Sequence, residues 1–208
     1  MTQSRIVHLV DDDEAVRDSL AALLETHDFE VSTYPSGEAF LSACLASASG
    51  CLLTDIRMPG MDGLTLQERV VAAYPGLSVI VMTGHADVPL AVRAMKAGAI
   101  DFIEKPFPAP AIVDAIERAL GESVRRREPA VLQPNSEIRE RLASLTPRER
   151  EVLDGLVAGL PNKTIAYDLG ISPRTVEIHR ARVMEKMRAK SLSELVRIAI
   201  QLGIGTSS

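Results

Sequence analysis

Five residues whose chemistry belongs together follow or close short apolar runs in the first half of the chain. Asp11 and Asp12 follow Arg5–Val10, Asp55 follows Cys51–Thr54, Thr83 closes Ser78–Thr83, and Lys105 follows Ile100–Glu104. Apolar runs of this kind read as strands of a parallel sheet, and the carboxyl ends of such strands share one edge. Three carboxylates gathered there repel one another and need compensating charge. A divalent cation supplies it, and an all-oxygen ligand set favours Mg²⁺, which is commonly held together with phosphoryl oxygens. Lys105 adds a point charge toward the same place. An aspartate carboxylate is a nucleophile for phosphoryl groups, and phosphoryl transfer asks mainly for positioning and charge neutralisation. Asp55 is therefore the candidate acceptor, and Thr83, followed by the small Gly84, can donate its hydroxyl to a new phosphoryl oxygen. Each residue also has a plainer reading. Asp11 or Asp12 can cap the next helix, Asp55 can be a strand-end acid, and Lys105 a solvated lysine.

A second constellation lies near the C-terminus. A helical pattern at Asn162–Leu169, a Gly170-Ile171-Ser172 turn and a helix opening at Pro173 have helix-turn-helix spacing. Stepping residues 174–187 at 100° per residue puts Val176, Val183, Met184 and Met187 on an inward face. Arg174, Ile178, Ala181, Arg182 and Glu185 gather opposite, flanked by Thr175 and Glu177. Ile178 and Ala181 suit close approach to a thymine methyl, and Glu177 can accept from cytosine N4. Lys163, Arg174, Lys186 and Lys190, with the hydroxyls of Ser172 and Thr175, are candidate phosphate contacts, and Asn162 heads the first helix of the pair. His179 reads as packed or phosphate-facing, not as a metal ligand.

The elements that must position these residues fall into two sets. Strands at Arg5–Val10, Glu30–Tyr34, Cys51–Thr54, Ser78–Thr83 and Ile100–Glu104 alternate with helical patterns near 14–27, 36–46, 64–73, 88–97 and 109–121. Such alternation predicts an α/β fold with a doubly wound, five-stranded parallel sheet. Residues 145–208 then carry only helical patterns, about four short ones, which predicts a small all-α module. The expected organisation is 1–121 for the sheet domain, 122–140 for a helix extension and linker, and 141–208 for the helix-turn-helix domain. The Arg125-Arg126-Arg127 triplet within the linker suits a solvated helix end as well as a nucleic-acid contact.

Composition bounds the alternatives. The net charge of −5 is uneven: residues 1–144 hold 13 Lys+Arg against 21 Asp+Glu, or −8, and residues 145–208 hold 10 against 7, or +3. The mildly basic C-terminal piece leaves nucleic-acid binding open for that piece alone. No run approaches the ~20 apolar residues of a membrane span. Met1-Thr2-Gln3-Ser4-Arg5 leads straight into an apolar run and an acid cluster, unlike a signal peptide. Cys44 and Cys51 lack metal-site spacing and read as reduced thiols, which suits a cytoplasmic protein.

Four strings carry a resemblance over about residues 4–121: Val10-Asp11-Asp12-Asp13, Thr54-Asp55-Ile56-Arg57-Met58-Pro59-Gly60-Met61-Asp62-Gly63, Val81-Met82-Thr83-Gly84 and Asp101-Phe102-Ile103-Glu104-Lys105-Pro106-Phe107. They resemble the receiver domain of two-component response regulators. The resemblance implies Asp55 as phosphoacceptor, Asp12 as direct Mg²⁺ ligand, Asp11 acting mainly through water, and the Arg57 carbonyl as a further ligand. It also implies a cis Lys105-Pro106 bond, and a switch in which the Thr83 hydroxyl moves to the phosphoryl group as the Phe102 ring turns inward. Asp13 is read as a helix cap. Leu145-Thr146-Pro147-Arg148-Glu149-Arg150-Glu151-Val152-Leu153, with Asn162-Lys163, Ile165-Ala166 and Ser172-Pro173-Arg174-Thr175-Val176, resembles the LuxR-type DNA-binding domain over about residues 140–206. In this order the two are most similar to the FixJ subfamily. That implies a sensor histidine kinase as phosphodonor, homodimerisation on phosphorylation through residues 88–104, double-stranded promoter DNA and RNA polymerase as partners, and no membrane. It further implies transcription activation of nitrogen-fixation, oxygen-response or catabolic genes, by a regulator and not an enzyme.

Two other functions compete. Asp11-x-Asp13 superficially fits the catalytic loop of an aspartyl phosphatase, but Ala15 stands where that loop needs threonine or valine, and Asp55 and the C-terminal helices stay unexplained. A constitutive DNA-binding protein with a degenerate receiver is opposed by the intact acid cluster. No Gly-x-x-x-x-Gly-Lys-[Ser/Thr] occurs, so any phosphoryl donor is external.

Overall fold

The computed structural model describes residues 5–44, 48–84, 88–125 and 135–204. The first stretch alternates strand and helix as β1 (Ile6–Val10), α1 (Glu14–Glu25), β2 (Glu30–Tyr34), α2 (Gly37–Ala43), β3 (Gly50–Asp55) and α3 (Gly63–Ala73). It continues with β4 (Leu77–Thr83), α4 (Val88–Lys96), β5 (Asp101–Glu104) and α5 (Ala109–Arg125). The strands form one parallel sheet in the order β2-β1-β3-β4-β5. Every residue of β3 and β4 is buried, which is why they read as unbroken apolar runs: helices cover both faces. Edge strand β2, by contrast, has no fully buried residue. Leu9, Leu53, Ile80 and Met82 of the sheet form one core with Leu20 and Leu24 of α1 and Ile112 and Ile116 of α5. Each such side chain contributes about 1.5–3 kcal/mol when fully buried. The strand order reverses between β1 and β3, and in open α/β sheets ligands collect at that point, outside the carboxyl ends.

Local caps begin the helices where the sequence places them. Asp13 Oδ1 accepts from the backbone N–H groups of Ala15 (2.9 Å) and Val16 (3.4 Å), so this acid caps α1 as expected. Ser36 and Asp62 do the same for α2 and α3.

The C-terminal helices are α6 (Asn135–Ala143), α7 (Pro147–Val157), α8 (Asn162–Leu169), α9 (Pro173–Met187) and α10 (Leu192–Gln201). The last four match the expected module, whose core contains Val152, Leu153, Leu156, Ile165, Val176, Val183, Met187, Leu195 and Ala199. Helix α6 lies where a linker was expected. Among the described residues, Ile138 and Leu142 pack it against that core, while an i,i+4 pair between Glu137 and Arg141 at 2.6 Å supports its exposed side. The Arg126-Arg127 part of the basic triplet and residues His85–Asp87 lie outside the described residues. The chain divides into two compact units, Met1–Ala86 with Ala97–Ala130 and Asp87–Lys96 with Val131–Ser208. Within the second, α4 packs against α10 and α7.

Candidate functional site

Register explains how the acid cluster assembles. Val10 pairs with Thr54 across β1 and β3, so the next residues, Asp11 and Asp55, leave adjacent strands side by side. Both are nearly buried, 2% and 7% exposed. The Lys105 ammonium sits between them, 2.6 Å from Asp11 Oδ2 and 2.7 Å from Asp55 Oδ1. Burial works against the charge of Lys105. The hydrogen bonds and negative charges of Asp11 and Asp55 outweigh it, and its pKa lies above the ordinary lysine value. The Lys105 backbone N–H donates to Thr83 O at 2.7 Å, anchoring the lysine to the end of β4. The peptide that follows it, Lys105-Pro106, is cis, as the resemblance implied.

The other oxygens of the two acids are also engaged. Asp55 Oδ2 accepts from the Arg57 N–H at 2.6 Å, and Asp11 Oδ1 from the Asp13 N–H at 3.0 Å. Arg17, from the first turn of α1, donates to the Asp11 carbonyl at 2.7 Å; nothing in the sequence marked it. Behind Asp55 the chain turns back so closely that a Cβ on Gly63 would lie 2.0 Å from the Asp55 carbonyl oxygen. Glycine is required there by close approach. Thr83 is fully buried. Phe102, on the neighbouring strand opposite Val81, is partly exposed.

Asp12 stands apart: it is exposed, and among the described residues no three acids, histidines or cysteines converge as a cation cage. Two carboxylates do converge, on the single positive charge of Lys105. That oxygen-only donor set, with the Arg57 backbone beside it, fits a hard divalent cation such as Mg²⁺ in its chemistry.

The helix-turn-helix faces fall as the 100° projection predicts. Val176, Val183 and Met187 are buried, while Arg174, Glu177, Ile178, Ala181, Arg182 and Glu185 are exposed. Ile178 is 49% exposed, unusual for an aliphatic side chain. Lys163 and Lys190 are exposed too, and no ion pair engages Lys163, Arg174, Arg182 or Lys190 among the described residues. Ser172 Oγ accepts from the Thr175 N–H (3.1 Å) and shares a 2.8 Å hydrogen bond with Thr175 Oγ1, so both hydroxyls already serve the cap of α9. Asn162 is half-buried with Oδ1 lacking a partner, and His179 is half-buried with Nδ1 likewise unpartnered. Tyr167, missed from sequence, projects from α8 at 87% exposure, one turn after Lys163; an aromatic on the polar side of a short helix was the available signal.

Lys186 is placed differently from the expectation. Its ammonium lies 2.6 Å from Glu149 Oε2 and 3.1 Å from the Ser144 carbonyl, tying α9 to the start of α7 instead of standing free for a phosphate. Glu149 is 2% exposed and completes a capping box with Thr146. The Lys186 hydrogen bond, then the Thr146 N–H, hold its pKa at about 2, against the opposing effect of burial. A depressed carboxylate pKa stabilises the fold above the ordinary value and loses that contribution as pH falls through the folded one. Thermal unfolding of Glu149→Ala is therefore expected to show a loss of about 1–2 kcal/mol at neutral pH, since α7 loses its capping-box acid and the charge-assisted bond to Lys186. Wild type should lose this advantage between pH 4.5 and about 2; equal melting of both proteins at pH 7 would refute the pair's role.

A receiver-type sheet with an acid cluster at its switch point, followed by a helix-turn-helix module, defines a class of phosphorylation-dependent DNA-binding regulators. Two family models match the chain: "Response regulator receiver domain" over residues 7–117 and "Bacterial regulatory proteins, luxR family" over residues 143–199. The chain belongs to the response regulators with a receiver and a LuxR-type DNA-binding domain, and is a transcription regulator of the two-component type. It is 54% identical over 206 residues to the transcriptional regulatory protein FixJ of Azorhizobium caulinodans, covering 98% of this chain and 96% of that one. It is also 54% identical to FixJ of Rhizobium meliloti, over 97% and 98% of the two chains. Among solved structures, full-length FixJ from B. japonicum matches with a TM-score of 0.52 and 48% identity, over 95% of this chain and 97% of that one. No described helix is long and apolar enough to cross a membrane.

Proposed function

We propose that Asp55 accepts a phosphoryl group from a sensor histidine kinase and that this acyl phosphate raises the affinity of α9 for promoter DNA. The observation that carries the reading is the meeting of Asp11, Asp55 and Lys105 at the strand ends. Asp55 Oδ1 is the attacking atom in this account, and Lys105 takes up the charge that the phosphoryl oxygens bring. Asp11, Asp12, Asp55 and the Arg57 carbonyl would hold Mg²⁺, which when bound neutralises phosphoryl oxygens. Thr83, at the end of β4, offers its hydroxyl to the phosphoryl group and passes the change to Phe102. Domain limits of 1–121 and 141–208, pairing through residues 88–104, contact with RNA polymerase, activation of transcription and a cytoplasmic location belong to the same reading. The FixJ relatives, by name transcriptional regulatory proteins, support it.

Incubation with acetyl phosphate and Mg²⁺, borohydride reduction of the acyl phosphate and peptide mapping test the assignment. The modification is expected on Asp55, once per chain, with slow self-hydrolysis. Modification of another acid, or sustained turnover of a phosphomonoester, would favour the phosphatase alternative.

On DNA, Arg174, Glu177, Ile178, Ala181 and Arg182 face the major groove, with Lys163, Lys190, Asn162, Ser172 and Thr175 nearer the backbone and Tyr167 beside Lys163. Lys163→Ala and Lys190→Ala are each expected to weaken binding across all sequences and to lower the salt slope by about 1. Glu177→Ala and Ile178→Ala should instead change which base is preferred, by about 1–3 kcal/mol at one position. Titrations on a panel of single-base operator variants at several salt concentrations distinguish the two. A base-specific loss at Lys163 would contradict the assignment.

A further inference from the structure

The loop between β3 and α3 begins beside the phosphoacceptor and is gripped at its far end by a side chain from another element. Its near end is fixed by the Arg57 N–H on Asp55 Oδ2. Its base is closed where the Gly63 N–H donates to Ile56 O at 2.9 Å. The outer grip comes from Glu38, the second residue of α2, whose Oε1 accepts from the Met61 N–H at 2.9 Å. The backbone passes close under this carboxylate: a Cβ on Gly60 would lie 3.0 Å from the same Oε1, and Gly60 adopts φ +77°, a conformation that favours glycine. Met61 in turn lies against α2, with its sulfur 3.2 Å from where a Cβ on Gly37 would be. Helix α2 is itself set by the Ser36 cap on Ala39 N–H. One carboxylate therefore links a capped helix to the end of the loop that starts at Asp55.

We propose that Glu38 is a positioning residue of the phosphoacceptor site. By holding Gly60 and Met61 it fixes the path of residues 56–62, and with it the placement of the Arg57 backbone against Asp55. Loss of the grip leaves Asp55, Asp11 and Lys105 intact but lets the Arg57 backbone move. The cost then falls on cation binding, because residues that orient metal-binding groups from behind contribute to affinity without touching the metal. The inference rests on the reading of Asp55 as a Mg²⁺-assisted phosphoacceptor.

Three full-length proteins test it: wild type, Glu38→Ala, and Glu38→Gln, which keeps an acceptor oxygen for the Met61 N–H. Mg²⁺ titrations followed by backbone amide shifts, thermal unfolding, and phosphorylation by acetyl phosphate across Mg²⁺ concentrations are measured on each. Glu38→Ala is expected to raise the Mg²⁺ Kd about tenfold, with an equal rise in the Mg²⁺ concentration for half-maximal phosphorylation and recovery of the rate at saturation. Glu38→Gln should stay within about twofold of wild type in both readouts, since the hydrogen bond persists. A merely structural residue would lower the melting temperature and leave the Mg²⁺ Kd unchanged, and that result overturns the proposal. So does equal weakening in Glu38→Gln, because it removes the hydrogen bond as cause. Failure of wild type to take up phosphoryl with Mg²⁺ would instead overturn the reading of Asp55, while the Mg²⁺ titration still decides the role of Glu38.

Discussion

Replacing Asp55 by asparagine is expected to abolish phosphoryl uptake while leaving the fold intact. The amide keeps the shape of the carboxylate and an oxygen that can accept from the Arg57 N–H. It loses the nucleophilic oxygen; of the neighbouring acids, Asp11 shares the Lys105 ammonium but is the more deeply buried of the two. Asp11 is 2% exposed and lies under the lysine, whereas Asp12 is exposed and outside the pair. Incorporation from labelled acetyl phosphate should fall at least about a hundredfold, the scale on which loss of an activated nucleophile is felt. Amide spectra should show the sheet unchanged. Incorporation above a tenth of wild type would place the acceptor elsewhere.

Lys105→Ala carries the second large effect. The ammonium sits between two nearly buried carboxylates, within 2.7 Å of each. Without it Asp11 and Asp55 lose the hydrogen bonds and the counter-charge that they share. The charge developing on the phosphoryl oxygens also loses a preorganised partner, an effect worth about a hundred- to a thousandfold in rate. Phosphorylation is expected to slow on that scale at pH 7. Mg²⁺ should relieve part of the defect. Stopped-flow phosphorylation at pH 7 checks this; a rate within threefold of wild type would mean that Lys105 serves only the fold.

What was legible in the sequence and what was not divides along physical lines. Strands β3 and β4 are buried on both faces, so their apolar runs announced them within one residue at either end. The face of α9 was legible because a helix turns 100° per residue whatever it packs on. Helix α6 was hidden because it buries little and relies on charge pairs. Lys186 reads as a phosphate contact because its partner, Glu149, lies 37 positions away, and nothing local distinguishes a tethered cation from a free one. The resemblance sets Asp11 and Asp12 apart by their roles toward the metal, but nothing in their spacing shows that Asp11 is buried against Lys105 and Asp12 exposed. Arg17 and Glu38 hold the backbone groups of Asp11 and Met61 through side-chain hydrogen bonds, a use of polar side chains that leaves no pattern in spacing.

The central claim is that the state of Asp55 sets the affinity of the C-terminal helices for DNA. The direct test is the Kd for a promoter fragment at one fixed salt concentration, with and without acetyl phosphate, for wild type and Asp55→Asn. Linkage requires phosphorylation and DNA binding to favour each other by the same factor, here expected to be about five- to 150-fold for wild type and absent in Asp55→Asn. Equal affinity of phosphorylated and unphosphorylated wild type, or the same gain in Asp55→Asn, would contradict the account.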